Sequence, residues 1–225
     1  MKYAVISDIH ANLEALLSVL AEIDSLRPDA VICLGDIVGY GADPNACADI
    51  IKERKIPSVM GNHDAAAAGV TEPWNFNEAA REAVLWTRDE LTDENRDFLA
   101  GLPDRIETED FLAVHGAISD PDKYILSYRD AEPEFGLMGD YRLCFFGHTH
   151  VPADHESPAG PGRRLVNPGS VGQPRDRDPR AAFLVYDTES GIERRRAEYD
   201  IRSAQRKITG SGLDPRLAER LSYGY

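Results

Sequence analysis

The chain has 225 residues, of which 42% are hydrophobic, and this length suits one substantial core better than two ordinary domains. Its formal net charge of −14 argues against a protein that grips nucleic acid through a basic face. It contains no apolar run of about 18 residues, which a membrane-spanning helix needs, and its first residues lack the regions of a signal peptide. We therefore expect one domain over residues 1–225, a cytoplasmic location and no membrane partner.

Strands and helices alternate in the first quarter of the chain. A short β-rich run is followed by apolar residues at three- and four-residue intervals between Leu13 and Ile23, as in an amphipathic helix. The same unit recurs further along. The pattern predicts strands over residues 2–7, 29–35 and 56–61 and helices over 12–26 and 45–52. Strands that alternate with helices indicate crossover connections and a sheet covered by helices.

The next part of the chain predicts a helical insert at about residues 77–102, made of helices over 77–91 and 93–102. Beyond Pro103 short strands predominate, and they are expected to form a second, largely antiparallel sheet. These strands are predicted over residues 105–109, 111–114, 141–146, 165–167, 182–187 and 192–199. Two short surface helices are predicted from Ile201 onward, and a flexible loop over the Pro- and Gly-rich residues 157–162.

Polar side chains follow the predicted strands at the point where each strand ends. Five of the six histidines lie in these segments. The residues concerned are Asp8, His10, Asp36, Asn62, His63, Asp64, His115, His148 and His150. Because the carboxyl ends of strands in an α/β sheet line one crevice, we expect these segments to converge on one rim.

Each segment taken alone has an ordinary explanation. A carboxylate before a helix is usually an N-cap, and GNHD over residues 61–64 is also typical of a turn with Asn62 at positive φ. A lone His115 is more often a core histidine than a ligand. His148 and His150 lie on alternate positions, which project to the same side of an extended segment. This spacing fits a metal site and an ordinary turn without a metal about equally well.

The combined donor set suits a pair of divalent transition-metal ions. Asp, Asn and His supply oxygen and imidazole ligands without thiolate, which fits Mn, Fe, Zn, Co or Ni rather than a structural zinc site or a calcium cage. Two ions about 3.5–4 Å apart require a bridging carboxylate. His148 and His150 can then each serve one of two adjacent ions, while Gly147 allows a close turn of the backbone.

The motifs together resemble the calcineurin-like metallophosphoesterase superfamily. They are, in order, DxH (Asp8, His10), GDxxxxG (35–41), GNHD (61–64), HG (His115, Gly116) and GHTH (147–150). NPGSVGQPRD (167–176) is similar to the segment that follows GHTH in small bacterial and archaeal single-domain phosphoesterases. The resemblance covers nearly the whole chain. It implies an α/β fold, a four-layer αββα sandwich with two mixed sheets and a dimetal site at the C-terminal ends of the strands.

The resemblance also implies roles for the site residues. One metal is expected on Asp8, His10, Asp36 and His150, and the other on Asp36, Asn62, His115 and His148, so that Asp36 bridges them. Mn or Fe are expected first, with Zn, Ni or Co as further candidates. His63 is expected to face the substrate, oriented by Asp64. Asn12 matches a position that often lies near the phosphate, although a helix N-cap explains it equally well.

These features predict a phosphoesterase that hydrolyses phosphomonoesters or phosphodiesters. The two ions would activate a bridging water to hydroxide, and His63 would act on the transition state or the departing oxygen. The expected partner is a small phosphate ester, with nucleotides among the candidates. One alternative is a non-catalytic metal-binding interaction scaffold of the same fold, although a scaffold has no need of His63. The other is a nuclease, which the acidic charge disfavours.

Specificity is expected from loops over the rim. The candidates are residues 70–77, with Trp74 and Phe76, and residues 120–128, with Lys123, Tyr124 and Tyr128. Their rings could stack on a base or simply pack beneath the insert. A cluster of Arg175, Arg177 and Arg180 could meet a phosphate, but a solvated turn paired with Asp176 and Asp178 is the interpretation we favour. No feature of the sequence sets the oligomeric state.

Overall fold

Nine strands form two sheets in the computed structural model, which describes residues 1–158 and 162–225. The strands are β1 (Lys2–Ile6), β2 (Ala30–Cys33), β3 (Arg105–Glu107), β4 (Leu112–Val114), β5 (Leu143–Phe145), β6 (Ala153–Glu156), β7 (Arg164–Asn167), β8 (Ala181–Asp187) and β9 (Gly191–Ala197). The first sheet has the order β2-β1-β8-β9, and the second sheet has the order β3-β4-β5-β7-β6.

The helices described in the same ranges are mostly short. They are α1 (Leu13–Leu26), α2 (Pro44–Glu53), α3 (Asn62–Ala68), α4 (Glu78–Glu90), α5 (Asp93–Ala100), α6 (Tyr128–Ala131), α7 (Ile201–Gly210) and α8 (Pro215–Glu219), with 3₁₀ helices at Glu132–Leu137 and Arg220–Ser222. None of them combines the length and the apolar character that a membrane crossing demands.

Both sheets are mixed. In the first sheet, β1 runs parallel to β2, with Tyr3 opposite Ala30, and antiparallel to β8, with Lys2 opposite Asp187. In the second sheet, β5 runs parallel to β4 and β7, while β3 and β6 add antiparallel edges. The parallel strands end at the same edge of each sheet, which is where ligand sites form in folds of this kind.

Three apolar clusters separate four layers. Val5 and Leu184 of the first sheet pack against Phe145 and Val166 of the second, so one cluster lies between the sheets. The outer face of the first sheet is covered by α1, α2, α3 and α5, and that of the second sheet by α6 and the 3₁₀ helix that follows it. Apolar burial of this kind stabilises by about 25 cal/mol for each Å² removed from water. The αββα sandwich is therefore confirmed.

Several predicted elements differ in the structure. The predicted strand over 56–61 is reduced to one bridge between Cys33 and Ser58, because Pro57 has no N–H to donate to a ladder. The second sheet is not largely antiparallel, and β8 and β9 join the first sheet. Helix α3 replaces the predicted turn at Asn62. The predicted flexible loop over 157–162 includes residues 159–161, which lie outside the described residues.

Helices α7 and α8 do not lie on a remote surface. Ile208, Leu217 and Leu221 pack with Tyr40 and with Ala83 of α4 in one apolar cluster. The C-terminal helices therefore cover the loop after β2, which carries part of the candidate site described next.

Candidate metal centre

The loops that follow the strands converge at one rim. The residues predicted as ligands are buried or nearly so, and several of their backbones adopt the left-handed conformation that disfavours side chains. These are Asp8 (φ 54°), His10 (φ 49°), Asp36 (φ 53°), His148 (φ 66°) and His150 (φ 61°). Each such residue costs about 1 kcal/mol or more, so the surrounding packing must hold these loops in place.

Gly147 explains how close the loops come. A Cβ built on Gly147 would meet Ser7 Oγ at 2.1 Å and Asp8 Oδ2 at 3.0 Å. Ser7 Oγ itself donates to Asp8 Oδ2 at 2.6 Å. Only glycine therefore lets the loop after β5 approach the loop after β1, as the sequence predicted.

One group of potential metal donors consists of Asp8, His10, Asp36 and His150. His150 Nε2 lies 3.4 Å from Asp8 Oδ1, and His10 Nε2 lies 3.5 Å from Asp36 Oδ2. All four side chains are buried. Their donor atoms are close enough to one another to hold a single ion.

A second group consists of Asp36, His115 and His148. His115 Nε2 lies 3.4 Å from Asp36 Oδ2 and 3.2 Å from His148 Nδ1. Asn62 joins this group, with its Oδ1 3.1 Å from His115 Nε2. Asp36 belongs to both groups, and the same oxygen faces both, as a bridging carboxylate would.

The first group carries direct physical evidence that it fits a cation. His10 Nδ1 lies 3.1 Å from Val38 O and His150 Nδ1 lies 2.7 Å from Gln173 O, so both Nδ1 atoms carry the proton. Burial lowers the pKa of both rings well below the usual value, so both are neutral. Their Nε2 lone pairs therefore face each other at 3.0 Å. Two acceptors at this distance need a positive charge beside them.

In the second group, a proton on His115 supplies the positive charge. Burial alone would lower the pKa of His115, but the charge and hydrogen bond of Asp36, the charge of Asp8 and the hydrogen bond to Leu34 O together outweigh burial and raise the pKa to about 10. His115 Nδ1 lies 2.7 Å from Leu34 O. Metal ligation requires neutral imidazole, so an ion bound here would displace the proton of Nε2 and supply the positive charge.

Burial and neighbouring charges also shift the pKa values of the carboxylates in these groups. Burial raises the pKa of Asp8 to about 7, although the charge of His115 opposes the rise. For Asp36 burial acts upward too, but the positive charge of His115 and the hydrogen bond from His115 hold its pKa well below the usual value. Asp36 is thus the carboxylate that stays ionised between the two groups, which suits a shared ligand.

His63 lies beside the two groups but belongs to neither. Its ring packs against His10, Tyr40 and Phe76, with ring centroids 4.9, 4.4 and 4.8 Å away. Burial lowers the pKa of His63 to about 4, and its Nδ1 has no hydrogen-bond partner among the described residues. This histidine is held by ring packing rather than by a polar partner.

The predicted orienting role of Asp64 needs correction. Asp64 Oδ1 accepts from Val38 N at 3.1 Å and Oδ2 accepts from Gly61 N at 3.1 Å. Both oxygens are therefore used by backbone donors of the neighbouring loop, and Asp64 does not bond His63 Nδ1. Asp64 instead fastens the loop after β2 to the start of α3.

Asn12 is also used inside the protein. Its Oδ1 accepts from Ala15 N at 3.2 Å, as the N-cap of α1. Its Nδ2 donates to Gly172 O at 2.8 Å. With both polar groups engaged, the structure favours the helix cap over contact with a substrate.

A cavity of about 190 Å³ opens beside the second group. It is lined by Tyr40, Asn62, His63, Asn75, Phe76, Asn77, Ala80, Asp122, Tyr124 and His148. Of the predicted specificity residues, Phe76 and Tyr124 reach it, and the Tyr124 ring lies 4.1 Å from that of His148. Trp74 is 74% exposed, Lys123 pairs with Glu134 at 2.6 Å, and Tyr128 lies near Phe135.

Sequence reasoning missed Tyr40 and Asp122. Asp122 O lies 3.2 Å from His148 Nε2, so it fixes the proton on that atom and leaves Nδ1 free for a ligand. Tyr40 lies between Gly39 and Gly41 in the GDxxxxG motif, and this placement between two glycines was the available signal. Asp122 lies in the predicted specificity segment 120–128, but no feature of the sequence singles it out there.

The chain matches known proteins over its length. The family model for the calcineurin-like phosphoesterase superfamily domain matches residues 1–191. An uncharacterized protein of Methanocaldococcus jannaschii is 37% identical, with 98% of this chain and 97% of that protein covered. A crystal structure of a metallophosphoesterase from Sphaerobacter thermophilus has a TM-score of 0.87 at 38% identity, with 100% of this chain and 99% of that chain covered. A hypothetical protein from Pyrococcus horikoshii has the same fold, with a TM-score of 0.90 at 23% identity and coverage of 100% and 98%.

Proposed function

Because the chain belongs to the calcineurin-like phosphoesterase superfamily, we propose that it is a dinuclear metal-dependent hydrolase of phosphomonoesters or phosphodiesters. The observation that carries this proposal is the pair of buried donor groups that share Asp36. The facing lone pairs of His10 and His150 support it further, because they have no partner without a cation. Mn or Fe are the ions we propose, since oxygen and imidazole donors without thiolate suit them.

The residues divide into two ligand sets that meet at Asp36. Asp8, His10 and His150 complete one set, and Asn62, His115 and His148 complete the other. Two divalent ions held there would supply Lewis acidity toward phosphoryl oxygens and would lower the pKa of a bound water. The chain itself keeps the imidazole donors in one tautomer through main-chain oxygens of Val38, Leu34, Gln173 and Asp122.

His63 is proposed to act on the reacting ester. It lines the cavity next to Asn62 and His148 and is free of the ligand sets. The imidazole N–H at this position can donate a hydrogen bond to an oxygen of the transition state, and the protonated ring can give its proton to the departing oxygen and become neutral. An interaction scaffold would gain nothing from such a residue. The cavity of about 190 Å³ suits a small ester rather than a folded nucleic acid.

The test combines metal analysis with a substrate panel. Protein reconstituted with Mn or Fe should contain about two ions per chain and should hydrolyse an aryl phosphomonoester or phosphodiester. A strong chelator should abolish turnover, and Mn should restore it better than Mg. His155→Ala, which changes a histidine outside both ligand sets, serves as the control. One ion or fewer per chain, or turnover that resists the chelator, would refute the proposal.

A further inference from the structure

Arg175 carries a charge that the protein leaves without a carboxylate partner. Among the described residues no Asp or Glu side chain pairs with it, and its Nε and Nη2 donate instead to Gln173 Oε1 at 3.3 and 2.9 Å. Its guanidinium lies over the ring of Tyr40, 5.8 Å from the centroid. The backbone N–H of Arg175 donates to His150 O at 3.2 Å. Arg175 is therefore fixed directly beside the first ligand set.

Its neighbours in the predicted arginine cluster behave differently. Arg180 pairs with Asp178 at 2.7 Å, and Asp176 is taken by Arg196. Arg177 is exposed. The paired, solvated turn predicted from the sequence thus holds for Arg180, whereas Arg175 turns inward toward the site.

Arg220 is a second arginine, on the C-terminal segment that packs beside this loop. It follows α8, outside the residues that the family model matches. Its Nε donates to Tyr225 O at 2.5 Å, and among the described residues no Asp or Glu side chain pairs with it. The next residue, Leu221, lines a small cavity together with His10, Tyr40 and Gln173.

The C-terminal segment is fastened to the Arg175 loop. Arg177 N donates to Gly224 O at 2.8 Å, and a Cβ on Gly224 would meet the backbone of Asp178 at 2.8 Å. Burial and the like charge of Arg175 lower the pKa of Arg220. Arg220 therefore lies on a segment that is packed against the loop of Arg175, in a protein whose net charge is −14.

We propose that Arg175 and Arg220 form a subsite for a second phosphate group of the substrate, next to the phosphate held at the ligand sets. The proposal rests on the proposed function. A guanidinium fork matches phosphate oxygens bidentately, and an acidic protein must neutralise a phosphate with locally placed cations. The substrate class is then a phosphate ester in which two phosphate groups lie within reach of each other.

The experiment compares pyrophosphate with orthophosphate as ligands of the metal-loaded protein, with metal in excess over either anion. Binding is measured by calorimetry and by inhibition of aryl phosphate hydrolysis. Arg175→Gln and Arg220→Gln should each weaken pyrophosphate binding by about 10- to 100-fold, the effect of one lost charge-assisted hydrogen bond. Orthophosphate binding should change by less than about threefold, because one phosphate is held by the ligand sets.

Matched controls remove the same charge nearby. Arg177→Gln, two residues from Arg175, and Arg216→Gln, on the same segment as Arg220, should leave the affinity for pyrophosphate unchanged. Arg175→Lys should recover only part of the affinity, since lysine keeps the charge but loses the fork. Circular dichroism checks that each variant is folded.

The outcomes separate the two proposals. Equal losses for pyrophosphate and orthophosphate, or losses as large in the controls, would overturn the subsite while the hydrolase activity of the wild type still stood. If the wild type binds two ions and hydrolyses the aryl ester but does not prefer pyrophosphate, the subsite is likewise wrong. Failure of the wild type to bind metal or turn over any ester would instead refute the proposed function.

Discussion

At the scale of single residues, His63 differs from every other histidine at the rim, because its side chain touches the ligand sets through ring packing only, while its backbone N–H donates to Asp36 Oδ1 at 2.9 Å. His63→Ala should keep its metal content and its fold. Its kcat should fall by about 10²–10⁴, the range for a positioned proton donor or acceptor. Steady-state kinetics and elemental analysis check this, with His155→Ala as the matched control.

Leaving groups distinguish the two roles open to His63. If it gives a proton to the departing oxygen, the loss in the alanine variant should shrink for esters with very acidic leaving groups, which depart without a proton. A loss that is independent of the leaving group would mean that His63 stabilises the phosphoryl oxygens instead. Unchanged kcat, or loss of an ion, would show that His63 has no part in the reaction or is a ligand.

Asp36 is the residue that the two proposed ligand sets share. Its Oδ2 lies 3.5 Å from His10 Nε2 and 3.4 Å from His115 Nε2. Asp36→Asn removes the negative charge that two adjacent cations must share, so both ions should be lost together. Elemental analysis measures this. Asp122→Asn, a cavity residue outside both sets, should retain both ions, and the loss of one ion alone in Asp36→Asn would assign the bridge elsewhere.

The convergence of the proposed ligand residues could be predicted from the sequence, because they follow the ends of strands. His148 and His150 follow one strand and Asp8 and His10 follow another, and the five motifs together, rather than any one spacing, indicated their proposed roles. Arg220 could not be found this way. It follows α8, far along the chain from Arg175, and only the packing of the C-terminal helices brings the two together.

At the scale of elements, Glu134 holds the loop that carries Asp122. It accepts from Ser119 N at 2.9 Å, from Ser119 Oγ at 2.7 Å and from Lys123 Nζ at 2.6 Å. Burial alone would raise the pKa of Glu134, but these bonds outweigh burial and hold it below its usual value. A depressed pKa gives stability that is present above the ordinary value and lost as the pH falls through the lower one.

Glu134→Gln should therefore destabilise the protein by about 1–3 kcal/mol at pH 7, because the buried donors lose a charged acceptor. The difference from wild type should narrow as the pH falls below the ordinary value of 4.5, where the wild-type carboxylate protonates. Urea denaturation at pH 7 and in this acidic range measures both. Glu132→Gln, exposed two residues earlier, is the control, and a difference that does not depend on pH would contradict the assignment.

Elements were predicted where the local pattern decided them and missed where distant partners did. Helix α1 was found from its apolar spacing and its cap at Asn12. Helix α3 was missed because GNHD is typical of a turn, although the alanines at 65–68 are strong helix formers. The assignment of β8 to the second sheet was wrong, since its pairing with β1 depends on the whole fold.

At the scale of the whole molecule, the loops that carry the proposed ligands destabilise the folded state when no ion is bound. Several residues have left-handed backbones, and buried carboxylates lie close together. An ion at a concentration of a thousand times its Kd stabilises the folded state by about 4 kcal/mol. In a chain of this size, the loss of about 1 kcal/mol of stability lowers Tm by about 2–4 °C. A chelator should therefore lower Tm by about 8 °C or more, measured by calorimetry. An unchanged Tm would contradict a structural contribution from the ions.

The position of β1 bears on when the proposed metal site can form. Every residue of the two ligand sets lies between Asp8 and His150, yet β1 pairs on one side with β8, at Ala181–Asp187. Gly172 N also donates to Asp8 O at 2.9 Å. A ribosome that has synthesised all the ligands has thus not yet produced the strand that fixes the first of them. Because such long-range pairing forms late, we expect the proposed metal site to be completed only after β8 has been synthesised and has paired with β1.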